Sequence, residues 1–427
     1  MTANKSKIMT LNCGSSSVKY SLWDKSTLTR ICSGILERVG TKNALLRHSD
    51  SKGQESSLDT ECLNHSDAIK TILSYITTET SGRAADLQEI AAVGHRVVHG
   101  GEKFKRSVII DATTIKTIED CCALAPLHNP PNLEGIKAAE KLVPNVPQAA
   151  VFDTAFLSTM PPHVYMYAIP YEFYRDFRVR KYGFHGTSHL YLSKRAAVLL
   201  RKGTFDVNLI TLHIGNGVSI TAVKGGLAYD HSMGFTPLEG AIMGTRCGDI
   251  DPAIPLYLME KKGYTPSEMD ALLNKKSGLL GTTEKYYDRR DLVAAANRGD
   301  ERAKLAIEME CYRLRKYVGA YAASLGRVDA VVFSAGVGEN LPLYRAKICA
   351  NLELFGITID HRKNDSAVGR KGETDISTAD SRTKVFVIPT NEELVMVEDT
   401  KALMEGRYDD HFKMQYSFER EDFVVLE

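Results

Sequence analysis

Apolar and polar residues alternate with a period of two in three short stretches near the start of the chain, 8–13, 18–23 and 28–36. That period marks half-buried strands. In the second stretch Ser17, Lys19 and Ser21 fall on one face and Val18, Tyr20 and Leu22 on the other. The spacing then lengthens. Ile69, Ile72, Leu73 and Ile76 follow the three-to-four rhythm of an amphipathic helix, with Ser66 placed to cap it. An apolar strand at 90–93, a helix at 114–124 and a strand at 148–152 follow. The same order returns after residue 207, with strands at 208–214, 218–223 and 227–229, a long helix near 301–325, and strands at 330–333 and 385–388. Asn216-Gly217 and Gly225-Gly226 are good hairpin dipeptides. Each half therefore reads hairpin, helix, strand with a glycine-rich end, helix, and strand stopping at an acid. The duplication is architectural and predicts an α/β chain of two related domains.

Composition narrows the function more than the fold. Lys and Arg total 54 against 53 Asp and Glu in 427 residues, a net charge of +1. That balance argues against a nucleic-acid or membrane-surface protein. No apolar run nears the ~20 residues of a membrane span. The first residues lack the apolar stretch of a secretory signal. Eight cysteines are scattered without a Cys-x-x-Cys pair, and Cys121 and Cys122 are adjacent. A reduced, cytoplasmic protein is expected, its cysteines acting as small buried hydrophobes.

The candidate chemistry lies at strand ends. Two glycine-rich turns, Asn12-Cys13-Gly14-Ser15-Ser16-Ser17-Val18-Lys19 and His213-Ile214-Gly215-Asn216-Gly217, can offer backbone N–H groups to phosphate. Asp153 and Glu392 each follow a buried strand, where α/β sheets bind ligands. Position alone leaves Mg²⁺ ligation and helix capping open, and the repeated placement favours the metal. Arg96 and Arg246 stand in glycine-flanked motifs, suited to two-point recognition of carboxylate or phosphate. His185, in Tyr182-Gly183-Phe184-His185-Gly186-Thr187-Ser188-His189, could stabilise a transferring phosphoryl group. On spacing alone, simple packing of His185 beside a Ser188 cap is favoured. No His/Cys cluster has zinc spacing. Gly336-Val337-Gly338-Glu339-Asn340 is read as a loop leading to a helix near Pro342, weak evidence for adenosine. It lacks the third glycine of a dinucleotide fingerprint, and there is no Walker-type loop.

In order along the chain these words resemble the acetate kinase family, of the acetate and sugar kinase/Hsp70/actin superfamily, from about Ile8 to Thr400. Others that carry the resemblance are Gly94-His95-Arg96-Val97-Val98-His99-Gly100-Gly101, Ala125-Pro126-Leu127-His128-Asn129-Pro130-Pro131-Asn132, Phe152-Asp153-Thr154-Ala155-Phe156, Met233-Gly234-Phe235-Thr236-Pro237-Leu238-Glu239-Gly240 and Met243-Gly244-Thr245-Arg246-Cys247-Gly248. The resemblance implies two duplicated actin-like (ribonuclease H-like) domains, 1–154 completed by 392–427, and 155–391, with the active-site cleft between them. It implies reversible, Mg²⁺-dependent phosphoryl transfer from ATP to acetate, with Mn²⁺ as a substitute ion and a homodimer as the assembly.

The resemblance also implies roles. Arg96 and Arg246 bind the carboxylate or acetyl phosphate, and His185 bonds the transferring group. Asn12, Ser15, Ser17 and Lys19 line the phosphate path. Asp153 and Glu392, with Asn12, organise the metal. His213, Asn216 and Gly217 meet nucleotide phosphates. Asp288, Arg290, Gly336, Val337, Gly338 and Asn340 surround the adenosine, and Val98, Leu127 and Pro237 wall the acyl pocket. Two positions depart from the family pattern. Leu157 stands where histidine is usual, and Arg289 replaces the aromatic residue of Asp-Phe-Arg. A propionate kinase, a pyrophosphate-linked acetate kinase, and a chaperone or filament protein of the same fold are the alternatives. Replacing Arg96 or Arg246 by alanine is expected to lower turnover by orders of magnitude and leave the fold intact.

Overall fold

A computed structural model describes residues 5–78 and 86–424; the extreme N-terminal residues read above for a signal and the last three of the tail lie outside that description. The chain divides into two compact units, Met1–Ser158 with Asn391–Tyr416, and Thr159–Thr390 with Ser417–Glu427.

The first unit is built on an eight-stranded sheet of β1 (Lys7–Cys13), β2 (Ser17–Asp24), β3 (Arg30–Glu37), β4 (Thr41–Asp50), β5 (Glu55–Cys62), β6 (Ile90–Val97), β7 (Val108–Ile109) and β8 (Gln148–Phe152). Their order is β5-β4-β3-β2-β1-β6-β8-β7. β1 pairs antiparallel with β2 and parallel with β6, which is in turn parallel to β8. Met9, Leu11, Cys13 and Val93 point into a core shared with Ile69, Ile72 and Ile76 of helix His65–Thr77 and with Ala138 and Ala139 of helix Asn129–Leu142. The opposite face is covered by helix Glu392–Met404, so close that a Cβ on Gly94 would lie 2.4 Å from Thr400 Oγ1.

The second unit repeats the plan with β9 (Leu209–Ile214), β10 (Val218–Lys224), β11 (Leu227–His231), β12 (Ala330–Ser334), β13 (Thr374–Asp375) and β14 (Lys384–Val387), ordered β11-β10-β9-β12-β14-β13. Again three antiparallel strands are followed by two parallel ones. The β3-β2-β1-β6-β8 and β11-β10-β9-β12-β14 segments are thus the same five-strand arrangement, and the β4–β5 hairpin is an addition to the first.

Several sequence expectations are corrected. Asn64, not Ser66, caps the first helix, accepting from the Asp67 N–H. Arg96 lies on β6 itself rather than in a loop after it. Gly225 and Gly226 take positive φ as their turn requires, but the Asn216-Gly217 turn does not; a Gly215 N–H to Gly217 carbonyl bond of 3.0 Å closes it. The tail also divides. Ser417–Glu427 belongs with the second unit, because Phe418 is buried beside Tyr191, and Arg195 donates to the Phe418 and Arg420 carbonyls.

Candidate functional site

In the first unit, the two-residue strand period gathers the chemistry onto one face. Thr10 pairs with Gly94, and Arg96 with Val151. Asn12, Arg96 and Asp153 therefore share the face under helix Glu392–Met404, all at the carboxyl ends of parallel strands, where α/β sheets place ligands. Asp153 is buried, and both its oxygens are taken by Arg96: Nε donates to Oδ1 at 2.9 Å and Nη2 to Oδ2 at 2.6 Å. Burial opposes the Arg96 charge, but Asp153, and more weakly Glu392, hold its pKa above the ordinary value. Asp153 is therefore the partner of Arg96, not a helix cap. Nor does Glu392 cap its own helix: Asn391 does, accepting from the Leu394 N–H. Glu392 Oε1 is left buried without a hydrogen-bond partner.

Beside them runs the β1–β2 turn, closed by a Gly14 N–H to Ser17 carbonyl bond of 2.8 Å. Ser15 and Lys19 are exposed, Ser17 is half-buried, and Lys19 sits opposite Asn12 in the ladder. Two residues without an assigned role in the sequence hold this turn. Asn132 donates to the Cys13 carbonyl at 2.7 Å and accepts from the Val98 N–H at 3.0 Å, joining the turn to the segment after Arg96. His65 Nε2 meets the Gly14 carbonyl at 2.7 Å. The available signal was Asn129-Pro130-Pro131-Asn132: prolines at a helix start put two amides three residues apart on one face. Val98 is buried, whereas Leu127 is 38% exposed.

In the second unit a polar layer separates the sheet from helix Gly186–Leu199. Register places Thr211, His213, Ser219 and Thr221 on one face. Ser219 Oγ lies 2.9 Å from His185 Nδ1 and 2.8 Å from His189 Nε2. Having one proton, Ser219 donates to one ring and accepts from the other. His189 Nδ1 meets Thr211, and His213 Nδ1 meets Ser188. His231 accepts the Phe184 N–H at Nε2, which puts its own proton on Nδ1 toward Thr221. Burial pushes His189 and His231 well below the usual imidazole range, so both are neutral. Ser188 therefore serves His213 rather than capping the helix.

His185 adopts a left-handed backbone, φ 59°, and its ring stacks on His213 at 4.3 Å between centroids. Such a backbone in a non-glycine residue persists where surrounding contacts over-determine it. Gly217 backs onto the same ring: a Cβ there would lie 3.0 Å from His185 Cε1 and 3.8 Å from Arg246 Nη1. The structure thus assembles His185, His213, Gly217 and Arg246. Arg246 donates to the Pro237 carbonyl at 3.0 Å, and burial lowers its pKa. No carboxylate among the described residues pairs with it, so it is a partly desolvated cation whose charge no acidic side chain offsets.

The adenosine candidates are less uniform. Asp288 caps helix Arg289–Asn297 and pairs with the exposed Arg290 at 2.6 Å. The segment read as a Gly-x-Gly loop is a short helix, Ala335–Asn340, entered through Ala335 at φ 61°. Within it Asn340 donates to the Gly336 carbonyl, Gly338 is buried, Val337 is half-buried, and Gly336 opens onto free space. Asn216 is exposed. Among the described residues no group of three or more His, Cys, Asp or Glu side chains is placed to hold a metal. The oxygen set available is two acids and the Asn12 amide, a hard donor set that suits Mg²⁺.

A five-strand sheet used twice, with phosphate-type turns, the strand-end acid Asp153 and a half-buried arginine that has no acidic partner among the described residues, fits a phosphotransferase of the acetate and sugar kinase/Hsp70/actin fold. The sequence model of the acetokinase family matches residues 7–398, and the chain belongs to that family. An acetate kinase from Geobacter metallireducens is 54% identical over 417 residues, covering 98% of this chain and 99% of that protein. The crystal structure of Porphyromonas gingivalis acetate kinase aligns with TM-score 0.88 and 46% identity over 93% of this chain and all of that one. A Francisella tularensis structure described as a propionate kinase aligns with TM-score 0.87 and 42% identity, again over 93% of this chain and all of that one. Membership in this family displaces the chaperone or filament alternative.

Proposed function

We propose that this chain carries out its family's reaction, phosphoryl transfer from ATP to the carboxylate of acetate, with the labour divided between the two sets of residues described above. A carboxylate is already nucleophilic, so the protein's work is alignment and charge neutralisation. The observation that carries this reading is Arg246, a half-buried guanidinium without an acid, beside His185 and Gly217. It would neutralise the transferring phosphoryl group, while His185, held at Nδ1 by Ser219, donates to one of that group's oxygens. His213, Asn216 and Gly217 would hold the nucleotide phosphates. Asp288, Arg290, Gly336, Val337, Gly338 and Asn340 would surround the adenosine.

In the first unit, Arg96, fixed by Asp153, would orient the acetate carboxylate, with Val98 and Leu127 at its methyl group. Asn12, Ser15, Ser17 and Lys19 would line the phosphate path. Glu392, whose Oε1 lacks a protein partner, would hold Mg²⁺ with Asp153 and Asn12; when bound, the ion would screen the phosphate charge.

Trapping acetyl phosphate with hydroxylamine, from acetate, ATP and Mg²⁺, tests the reading. Hydroxamate forms if it holds, and none above background refutes it. Propionate belongs in the same assay: the chain resembles a structure described as a propionate kinase, and one methylene discriminates by only ~1–3 kcal/mol. The reverse reaction with ADP, compared with phosphate, tests the donor. Helix Ala253–Lys262 exposes Ile254, Leu256 and Tyr257, supporting a homodimer, which light scattering checks. All eight cysteines are free, in keeping with a cytoplasmic enzyme.

A further inference from the structure

Arg289, the residue that departs from the family's aromatic position, does not lie open toward a base. It is the first residue of its helix, its side chain is 2% exposed, and it meets Glu310 of helix Glu301–Leu325, whose side chain is 0% exposed. Nε and Nη2 grip the carboxylate, the shorter bond being 2.6 Å. The remaining nitrogen, Nη1, donates to the Gly215 carbonyl at 2.8 Å. Glu310 cancels the charge, so Arg289 adds little net attraction for an anion; what it adds is geometry. The peptide unit is planar and trans, so fixing the Gly215 carbonyl also fixes the Asn216 N–H, which points the opposite way. Gly215 and Gly217 have no side chains to stiffen this turn. A buried ion pair is weak evidence of stabilisation and is better understood as specifying an arrangement.

We propose that Arg289, clamped by Glu310, is a positioning residue that aims the Asn216 N–H of the second glycine turn at the nucleotide phosphates. The proposal rests on the reading of that turn as a phosphate site. The test uses the full-length enzyme and four variants. Arg289→Met strands Glu310 as a buried charge and can fail to fold, so the double variant Arg289→Met/Glu310→Leu, which removes both charges, is the decisive one. It is expected to raise KM for ATP about tenfold, the order lost with one charge-assisted hydrogen bond. KM for acetate should stay within twofold and the melting temperature within a few degrees. Arg289→Lys, which keeps a donor, should recover part of the ATP affinity. Asn216→Pro, which deletes the N–H, tests the turn itself. If Asn216→Pro raises KM for ATP and the double variant does not, the positioning role falls and the turn reading stands. If neither raises it, both fall. Equal changes in both KM values, or a fall in melting temperature alone, would mark Arg289 as merely structural and overturn the proposal.

Discussion

Adding one methyl group at Gly217 should damage catalysis without damaging the fold. The Cβ of Gly217→Ala would meet His185 Cε1 at 3.0 Å and Nε2 at 3.2 Å, whereas relaxed carbon contacts lie near ~3.5 Å. Gly217 does not have a positive φ, so the backbone accepts alanine and the ring must retreat by about 0.5 Å. There is little slack for that. The imidazole already stacks on His213 at 4.3 Å between centroids, and Nδ1 is tied to Ser219 at 2.9 Å. Stretching the Ser219 bond costs about 1 kcal/mol, which the smaller entropy of the unfolded alanine chain largely offsets. Net stability should therefore stay within about 1 kcal/mol of the parent. Catalysis has no such compensation. A 1 Å misplacement costs about a hundredfold, so half of it predicts about a tenfold fall in kcat. Gly215→Ala is the control in the same turn: its Cβ would meet nothing nearer than 3.5 Å. Hydroxamate kinetics and thermal melts on the two variants decide the matter. Gly217→Ala with kcat within twofold of the parent, or both variants losing equal activity, would refute the placement of Gly217 against His185.

The plan of the fold was legible because each half repeats a strong local signal: period-two strands, glycines at strand ends, and an acid beyond the last strand, one residue beyond at Asp153 and five at Glu392. The five-strand arrangement followed, and so did the strand-end position of Asp153. The β4–β5 hairpin escaped because β5 is almost wholly exposed, so no alternation of buried residues betrays it. Helix Asn129–Leu142 escaped because Pro130-Pro131 reads as a breaker, although proline is at home in a first helical turn. The site was legible in its residue types but not in its pairings. Nothing local says that Asp153 serves Arg96, 57 residues away, or that Ser219 stands between two histidines. Arg289 shows the limit most clearly. In the sequence it is a missing aromatic ring, while its partners Glu310 and Gly215 lie 21 and 74 residues away and become neighbours only when the unit packs.

Three further outcomes follow from burial and charge. Leu157 is fully buried, so Leu157→His should cost about 2 kcal/mol or more in urea unfolding and bring no gain in turnover; a gain would mean that the family's histidine is missed here. Stability should fall on mild acidification. Burial pushes His95 down to about 4 from an ordinary 6.5, so between those values the unfolded chain binds the extra proton and stability drops with pH. His95 alone contributes a loss of about 2 kcal/mol by pH 5, and a urea midpoint that is flat or rising from pH 6.5 to 5 would refute it. Finally, the two arginines should separate. Both alanine variants are expected to lose orders of magnitude in turnover, but the expectation of an intact fold survives only for Arg246. Removing Arg246 takes away a half-buried, desolvated cation with no acidic partner among the described residues, so its melting temperature should hold or rise. Removing Arg96 strands the buried Asp153 carboxylate, which costs about 3–5 kcal/mol. The double variant Arg96→Ala/Asp153→Asn should recover much of that stability without recovering activity. Equal melting temperatures for the two single variants would show that the Arg96–Asp153 pair does not hold the first unit together.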